Sequence, residues 1–334
     1  MKEQYSLYKS RLHFPIGKSN GALFFSLVDY RNNYFTSDDP DKIIEFYNGF
    51  KTRDHLIQWM KERPKGVSNI YEVEGDCEVV VVIPTADFNG KYAIECRENI
   101  FKGFHIIFVE SGGKRDFYFN FAHNMNIGLK KALEYNPKWI VCSNDDMRKI
   151  DESHKLTSEL SALDPRKTDI VFTSPSPTMY HSKPSFMGKT NLLGRLYYIW
   201  IQKTGIAPYD FWSYLYRGGG LLNISDEVIL LPTHFKSKLF FHNPKPLVTM
   251  MSFSIFSGKF VESENGEVFK EFFVNGAEDW DVSYRAFYKG LSYDFIQYQI
   301  SEYSGATLGA GGNRAIRDVA NVLMFNHLYA KDFS

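Results

Sequence analysis

Apolar runs and helical stripes alternate along the middle of the chain. Val79-Val80-Val81-Val82-Ile83 is an unbroken β-branched run closed by Pro84-Thr85, the pattern of a strand buried on both faces. Asn89 to Phe101 follows with Tyr92, Cys96 and Ile100 four apart, which predicts a helix. Ile106-Ile107-Phe108-Val109 is a second buried strand, ending at Glu110 and Ser111-Gly112-Gly113. Asn120 then caps a helix whose stripe is Ala122, Met125, Leu129, Ala132 and Leu133, and Asn136-Pro137 stops it. Trp139-Ile140-Val141-Cys142 is a third strand, Ser153 to Leu163 a further helix, and Ile170-Val171-Phe172 a fourth strand. This order predicts an α/β fold with a mostly parallel sheet, right-handed crossovers and ligands bound beyond the carboxyl ends of the strands. Asp87, Glu110, Asp145 and Asp146 fall at that edge.

The first 76 residues do not share the alternation and read as a small α+β extension, with the main domain running over 77–334. Ala22 to Val28 is a strand pattern, Asp39-Pro40 starts a short helix, and His55 to Lys61 is a second helix carrying Leu56, Trp59 and Met60. Beyond the fourth strand the pattern turns irregular. Residues 186–216 are crowded with Tyr and Trp flanked by Lys189, Arg195, Lys203 and Arg217, which suits an interfacial surface, an acceptor-binding loop or a buried aromatic subcore. Near the end, Gly309 to Arg314 is a glycine-rich loop leading to a closing helix over Arg314 to Leu328.

Composition narrows the class. A chain of 334 residues that is 44% hydrophobic should bury roughly three quarters of its unfolded surface, which is core enough for an enzyme. The 39 basic residues balance the 39 acidic ones, so the basic footprint of a nucleic-acid binder is missing. Cys77, Cys96 and Cys142 are odd in number and widely spaced, which favours reduced thiols over disulfides or a zinc site. No signal peptide and no membrane-spanning apolar run are read in the sequence, so the expected location is cytoplasmic, with peripheral contact at the membrane face through 186–216.

Two clusters carry candidate chemistry. Asn144-Asp145-Asp146 ends the third strand, and paired carboxylates at such an edge suit Mg²⁺ or Mn²⁺ with ligand phosphates completing the shell. The same residues also form ordinary turns, because Asp and Asn bond their own backbone. Asn275-Gly276-Ala277-Glu278-Asp279-Trp280-Asp281 opens a helix that ends at Lys289-Gly290. Carboxylates there are stabilised by the helix dipole whatever they do, and an ionised carboxylate at a cleft is also what a general base requires.

The chain from Val79 to about Lys331 resembles family 2 type glycosyltransferases of the GT-A fold. The resemblance rests on five segments in order: Val82-Ile83-Pro84-Thr85, Val109-Glu110-Ser111-Gly112, Ala122 through Gly128, Asn144-Asp145-Asp146-Met147, and Phe269 through Arg285. It implies a Rossmann-like, mostly parallel sheet flanked by helices, with a nucleotide-sugar-binding half over 77–173 and an acceptor and catalytic-base half over 174–334. In it Asp146 is a ligand of Mn²⁺ or Mg²⁺, with Asp145 contacting the ribose or supporting the metal. Thr85, Asp87 and Glu110 line the base pocket, and His123 and Asn124 lie near the nucleotide. Asp279 is the base of an inverting transfer from a nucleoside-diphosphate sugar to a glycan or lipid-linked acceptor. Arg285 is expected to pair with Asp281, four residues earlier. The chain departs from the family pattern at Glu110 (usually Asp), His123 (usually Arg) and Asn144, and it has no His over 299–307, which leaves open Glu302 as a substitute oxygen donor, a metal held by Asp146 and phosphates alone, and transfer without metal. These departures keep open a degenerate nucleotide- or glycan-binding protein, and a sugar nucleotidyltransferase is a further alternative.

Overall fold

The computed structural model describes residues 46–47, 49–111, 118–174, 181–187, 229–233, 248–249, 252–303 and 319–329. The N-terminal strand and the Asp39-Pro40 helix, the aromatic stretch beyond Met187 and the Gly309–Arg314 loop lie outside the described residues. In chain order the elements are α1 (Arg53–Glu62), β1 (Asn69–Val73), β2 (Asp76–Thr85), α2 (Lys91–Glu95), β3 (Phe104–Glu110), α3 (Phe121–Ala132), β4 (Trp139–Ser143), β5 (Met147–Lys149) and α4 (Ser153–Ser161). They continue with β6 (Ile170–Thr173), β7 (His181–Met187), β8 (Ile229–Thr233), β9 (Val248–Thr249), β10 (Phe253–Ser257), α5 (Gly258–Ser263), α6 (Glu278–Tyr288), β11 (Tyr293–Ile296), β12 (Ile300–Glu302) and α7 (Val319–Tyr329).

The main sheet has seven strands in the order β1-β3-β2-β4-β10-β6-β11. β2 is parallel to β3 and β4, and β6 is parallel to β11. β10 runs antiparallel between β4 and β6, so β2, β3, β4, β6 and β11 all point one way. β1 adds an antiparallel edge on β3. The expected parallel core is therefore present, and the structure adds two antiparallel strands. β1 lies on the N-terminal side of the residue 76 boundary, yet it belongs to this sheet.

The alternation of β2 divides the core into two layers. Val79, Val81 and Ile83 pack with Ala93, Cys96 and Ile100 below, and with Leu156 and Leu160 of α4. Val80 and Val82 pack on the other face with Ala122, Met125, Leu129 and Ala132 of α3 and with Val282, Ala286 and Phe287 of α6. A strand buried on both faces needs no polar alternation, which is why this stretch is continuously apolar. The helix expected over Asn89 to Phe101 is shorter as an α-helix: after Glu95 the chain widens into a π-turn over Cys96–Ile100. Cys96 and Ile100 are both buried.

α3 approaches the sheet closely. A Cβ on Gly128 would stand 2.2 Å from Val82 Cγ1 and 3.1 Å from Val109 Cγ2. The glycine is what allows the helix to lie down on the strands. The substitution Gly128→Ala should therefore lower stability by about 1 to 2 kcal/mol, the overpacking cost outweighing the gain in helix propensity. Urea denaturation checks this as a lower midpoint at unchanged slope.

Candidate functional site

The acidic turn is fixed through its backbone by three different elements. Asn144 N donates to Ser252 O (2.8 Å), Cys96 Sγ donates to Asp145 O (3.2 Å), and Tyr303 N donates to Asp146 O (2.8 Å). The turn reading of Asn144-Asp145-Asp146 is thus only part of the picture, because neighbours on three sides set its shape. Asp145 Oδ2 accepts the Thr85 hydroxyl at 2.7 Å, tying the end of β4 to the end of β2. Burial pushes the Asp145 carboxyl upward, partly offset by the Thr85 hydroxyl and by the N–H groups of Asp145, Ala86 and Asp146. A cation nearby would relieve that burial penalty. Asp146 is only 6% exposed.

Glu110 directly neighbours Thr85 across β3 and β2. Its Oε2 accepts Phe88 N at 2.7 Å, so the longer side chain braces the 85–90 turn. Asp87 shapes the same turn: its Oδ1 accepts Asn89 N (2.9 Å) and its carbonyl accepts Gly90 N (2.9 Å). Thr85, Asp87, Glu110 and Asp145 therefore form one connected group. By strand alternation Thr85 and Glu110 share the face of Ile83 and Phe108, the α2 side.

His123 and Asn124 belong to the opposite, α3 side. His123 Nδ1 pairs with Glu271 Oε1 at 3.1 Å, and Asn124 Oδ1 accepts the Ser68 hydroxyl. Glu271 also takes Lys65 and Asn126 Nδ2. Burial alone would raise the Glu271 carboxyl, but its bonds to His123, Lys65 and Asn126 outweigh that and bring it down to about 2. The histidine that stands where the resemblance has Arg is thus engaged by an internal acid.

Glu271 lies in the segment that delivers the second acidic cluster. α6 follows it, packs on the sheet face shared with α3, and leads into β11, which is parallel to β6. Since its C-terminus feeds the start of a parallel strand, its N-terminus lies toward the carboxyl edge, the edge that carries Asp145 and Asp146. Glu278 is buried at 5% exposure and Asp279 is half-buried. Asp279 Oδ1 accepts Trp280 N at 2.9 Å. The entry turn is strained: Asn275 (φ 50°) and Ala277 (φ 65°) both have left-handed backbone. Asn tolerates this and Ala does not. The expected pair is present, with Arg285 Nε donating to Asp281 Oδ2 at 3.0 Å. Arg285 also reaches Glu264 (3.2 Å), and Tyr329 of α7 donates to Asp281 Oδ1. Arg285 is thereby a structural brace.

Cys96, Tyr303 and the asparagines that hold 269–275 were not legible as site residues. A buried thiol or amide gives no periodic signal, and its role depends on which backbone group it meets.

Asp145 and Asp146 supply hard oxygens, and such a donor set fits Mg²⁺ or Mn²⁺ when ligand phosphate and water fill the remaining positions. Among the described residues no three His, Cys, Asp or Glu side chains gather as a complete ligand group. No described helix is long and apolar enough to cross a membrane. The chain matches no protein-family model, and no curated protein matches it.

Two outcomes follow from this geometry. The depressed Glu271 carboxyl contributes stability that is present above its unfolded value of 4.5 and lost as pH falls toward about 2. Acid unfolding of the parent should show that loss, of about 3 kcal/mol at most, and Glu271→Gln should flatten this limb of the pH–stability curve. The strain at Ala277 predicts that Ala277→Gly raises stability in urea by about 0.5 kcal/mol, since relief of about 1 to 2 kcal/mol is offset by the flexibility glycine adds to the unfolded chain.

Proposed function

We propose that this chain is an inverting, divalent-metal-assisted glycosyltransferase of the GT-A type, moving a sugar from a nucleoside diphosphate to an acceptor hydroxyl. The observation that carries the reading is that the topology puts two carboxylate groups from separate parts of the chain, the turn after β4 and the start of α6, at the same edge of a mostly parallel sheet. Thr85 and Glu110 at the same edge supply polar groups for the nucleotide. The resemblance in sequence adds the order of these segments.

In this reading Asp279 takes the proton of the acceptor hydroxyl as that oxygen forms its bond to the anomeric carbon. The bond from that carbon to the diphosphate oxygen breaks on the opposite face, and the nucleoside diphosphate leaves with the electron pair. A Mg²⁺ or Mn²⁺ held at this site would supply positive charge against the departing diphosphate. Asp146 is the residue to hold the ion, and Asp145, already bonded to Thr85, has the supporting role. The acceptor is a glycan or a lipid-linked saccharide.

A binding protein without turnover is the second reading, favoured by the engagement of His123 with Glu271. Asp279→Asn should abolish transfer while donor binding persists; full activity in that variant would sink the assignment of the base. Thermal unfolding with nucleoside diphosphates and Mn²⁺ is the companion measurement. A ligand at a hundred times its Kd adds about 2.7 kcal/mol, a shift of a few degrees. Asp146→Ala should lose the Mn²⁺-dependent part of that shift, and an unchanged shift would remove Asp146 from the metal site.

A further inference from the structure

β5 and β12 form a two-stranded antiparallel ribbon in which Lys149, Arg148 and Met147 face Ile300, Ser301 and Glu302. The pairing continues one residue further, because Tyr303 N donates to Asp146 O at 2.8 Å. Residues opposite one another share a face, and every second residue returns to it. Asp146, Arg148, Ser301 and Tyr303 therefore occupy one face, whereas Met147 and Ile300 point into the core. On that face the Arg148 guanidinium carbon lies 4.9 Å from the centroid of the Tyr303 ring. Tyr303 in turn meets Tyr92, with ring centroids 5.8 Å apart.

Arg148 differs from its basic neighbours. Lys149 pairs with Glu152 and Lys155 with Asp151, but Arg148 is exposed and makes no ion pair among the described residues. Its planar fork is held against an aromatic ring, which limits the rotamers to be frozen when it binds. Guanidinium is the side chain best matched to paired phosphoryl oxygens. Two carboxylates alone would repel a diphosphate, so a fixed cation on the same face supplies attraction that does not depend on a metal ion.

We propose that Arg148, braced by Tyr303, binds phosphoryl oxygens of the ligand that Asp146 serves, so that one ribbon face carries both the carboxylate and the cation of the diphosphate end of the site. This rests on reading that site as the nucleotide-sugar donor site. It gives diphosphate affinity two separable parts, one that needs the divalent ion and one that does not.

The test is calorimetric titration of the full chain with inorganic pyrophosphate, in Mn²⁺ and again in a chelator. The parent should bind in both, more weakly without Mn²⁺. Arg148→Ala should lose affinity by about tenfold or more in both conditions, as expected for charge-assisted hydrogen bonds. Arg148→Lys should recover part of it, and Tyr303→Leu should weaken binding in the same direction as Arg148→Ala. Asp146→Ala should remove only the Mn²⁺-dependent increment. Unchanged affinity in a folded Arg148→Ala variant overturns the inference while leaving the donor-site reading standing. A parent that binds neither pyrophosphate nor any nucleoside diphosphate overturns both. Competition between a nucleoside diphosphate and pyrophosphate supports a phosphate carried by the donor. Simultaneous binding of the two, which would place the phosphate on the acceptor, overturns the assignment to the donor.

Discussion

The structure depends on how residues 269–275 satisfy their buried backbone. This segment has neither helix nor strand, yet it lies against α3 and leads into the carboxylates of α6. Buried N–H and C=O groups without regular partners are costly, so side chains must supply the bonds. Asn126 bonds both Phe269 N (3.0 Å) and Phe269 O (2.8 Å), and Asn120 Nδ2 reaches Glu271 O at 2.8 Å. Arg63 donates to Phe273 O at 2.9 Å, and Asn321 bonds both Val274 N (2.7 Å) and Val274 O (3.0 Å). Asn275 returns the arrangement by accepting Phe121 N at 2.8 Å. Amides suit this task because one side chain offers both a donor and an acceptor. Helices α1, α3 and α7 thus all converge on the segment that aims Glu278 and Asp279.

The sheet edge sorts the polar residues onto two sides. Thr85, Glu110 and Asp145 interlock on the α2 side, where their bonds are mostly to one another and to the turn they shape. His123, Asn124 and Glu271 gather on the α3 side with the irregular segment. A ligand at this edge would meet two rigid polar groups built independently and joined by the strands beneath them. Preorganisation of this kind lowers the cost of aligning a reacting group, because the side chains are already held before a ligand arrives.

Much of the fold was readable because a strand buried on both faces is uniformly apolar. The runs at Val79, Ile106, Trp139 and Ile170 became β2, β3, β4 and β6, and the Asn120 cap with its apolar stripe became α3. β1 carries Ile70, Tyr71 and Glu72 on an exposed edge, so burial leaves little imprint on its sequence. β10, Phe253–Ser257, is as buried as the parallel strands, yet its place between β4 and β6 depends on pairing across a long stretch of chain, which local pattern does not encode. Paired carboxylates were visible as chemistry because adjacency in sequence keeps them adjacent in space. The partners that fix them, Thr85, Cys96, Ser252 and Tyr303, come from four other places in the chain.

The antiparallel placement of β10 has a consequence for how the molecule is made. Two of the three backbone bonds that shape the acidic turn come from Ser252 and Tyr303, far downstream of Asn144. During synthesis β2, β3 and β4 can assemble early, but β4 keeps one unpaired edge until Phe253–Ser257 has emerged. Non-local pairing of this sort is slow because a long loop must close before any bond rewards it. Maturation of the acidic turn is therefore a late event in the life of the nascent chain, and an open strand edge precedes it.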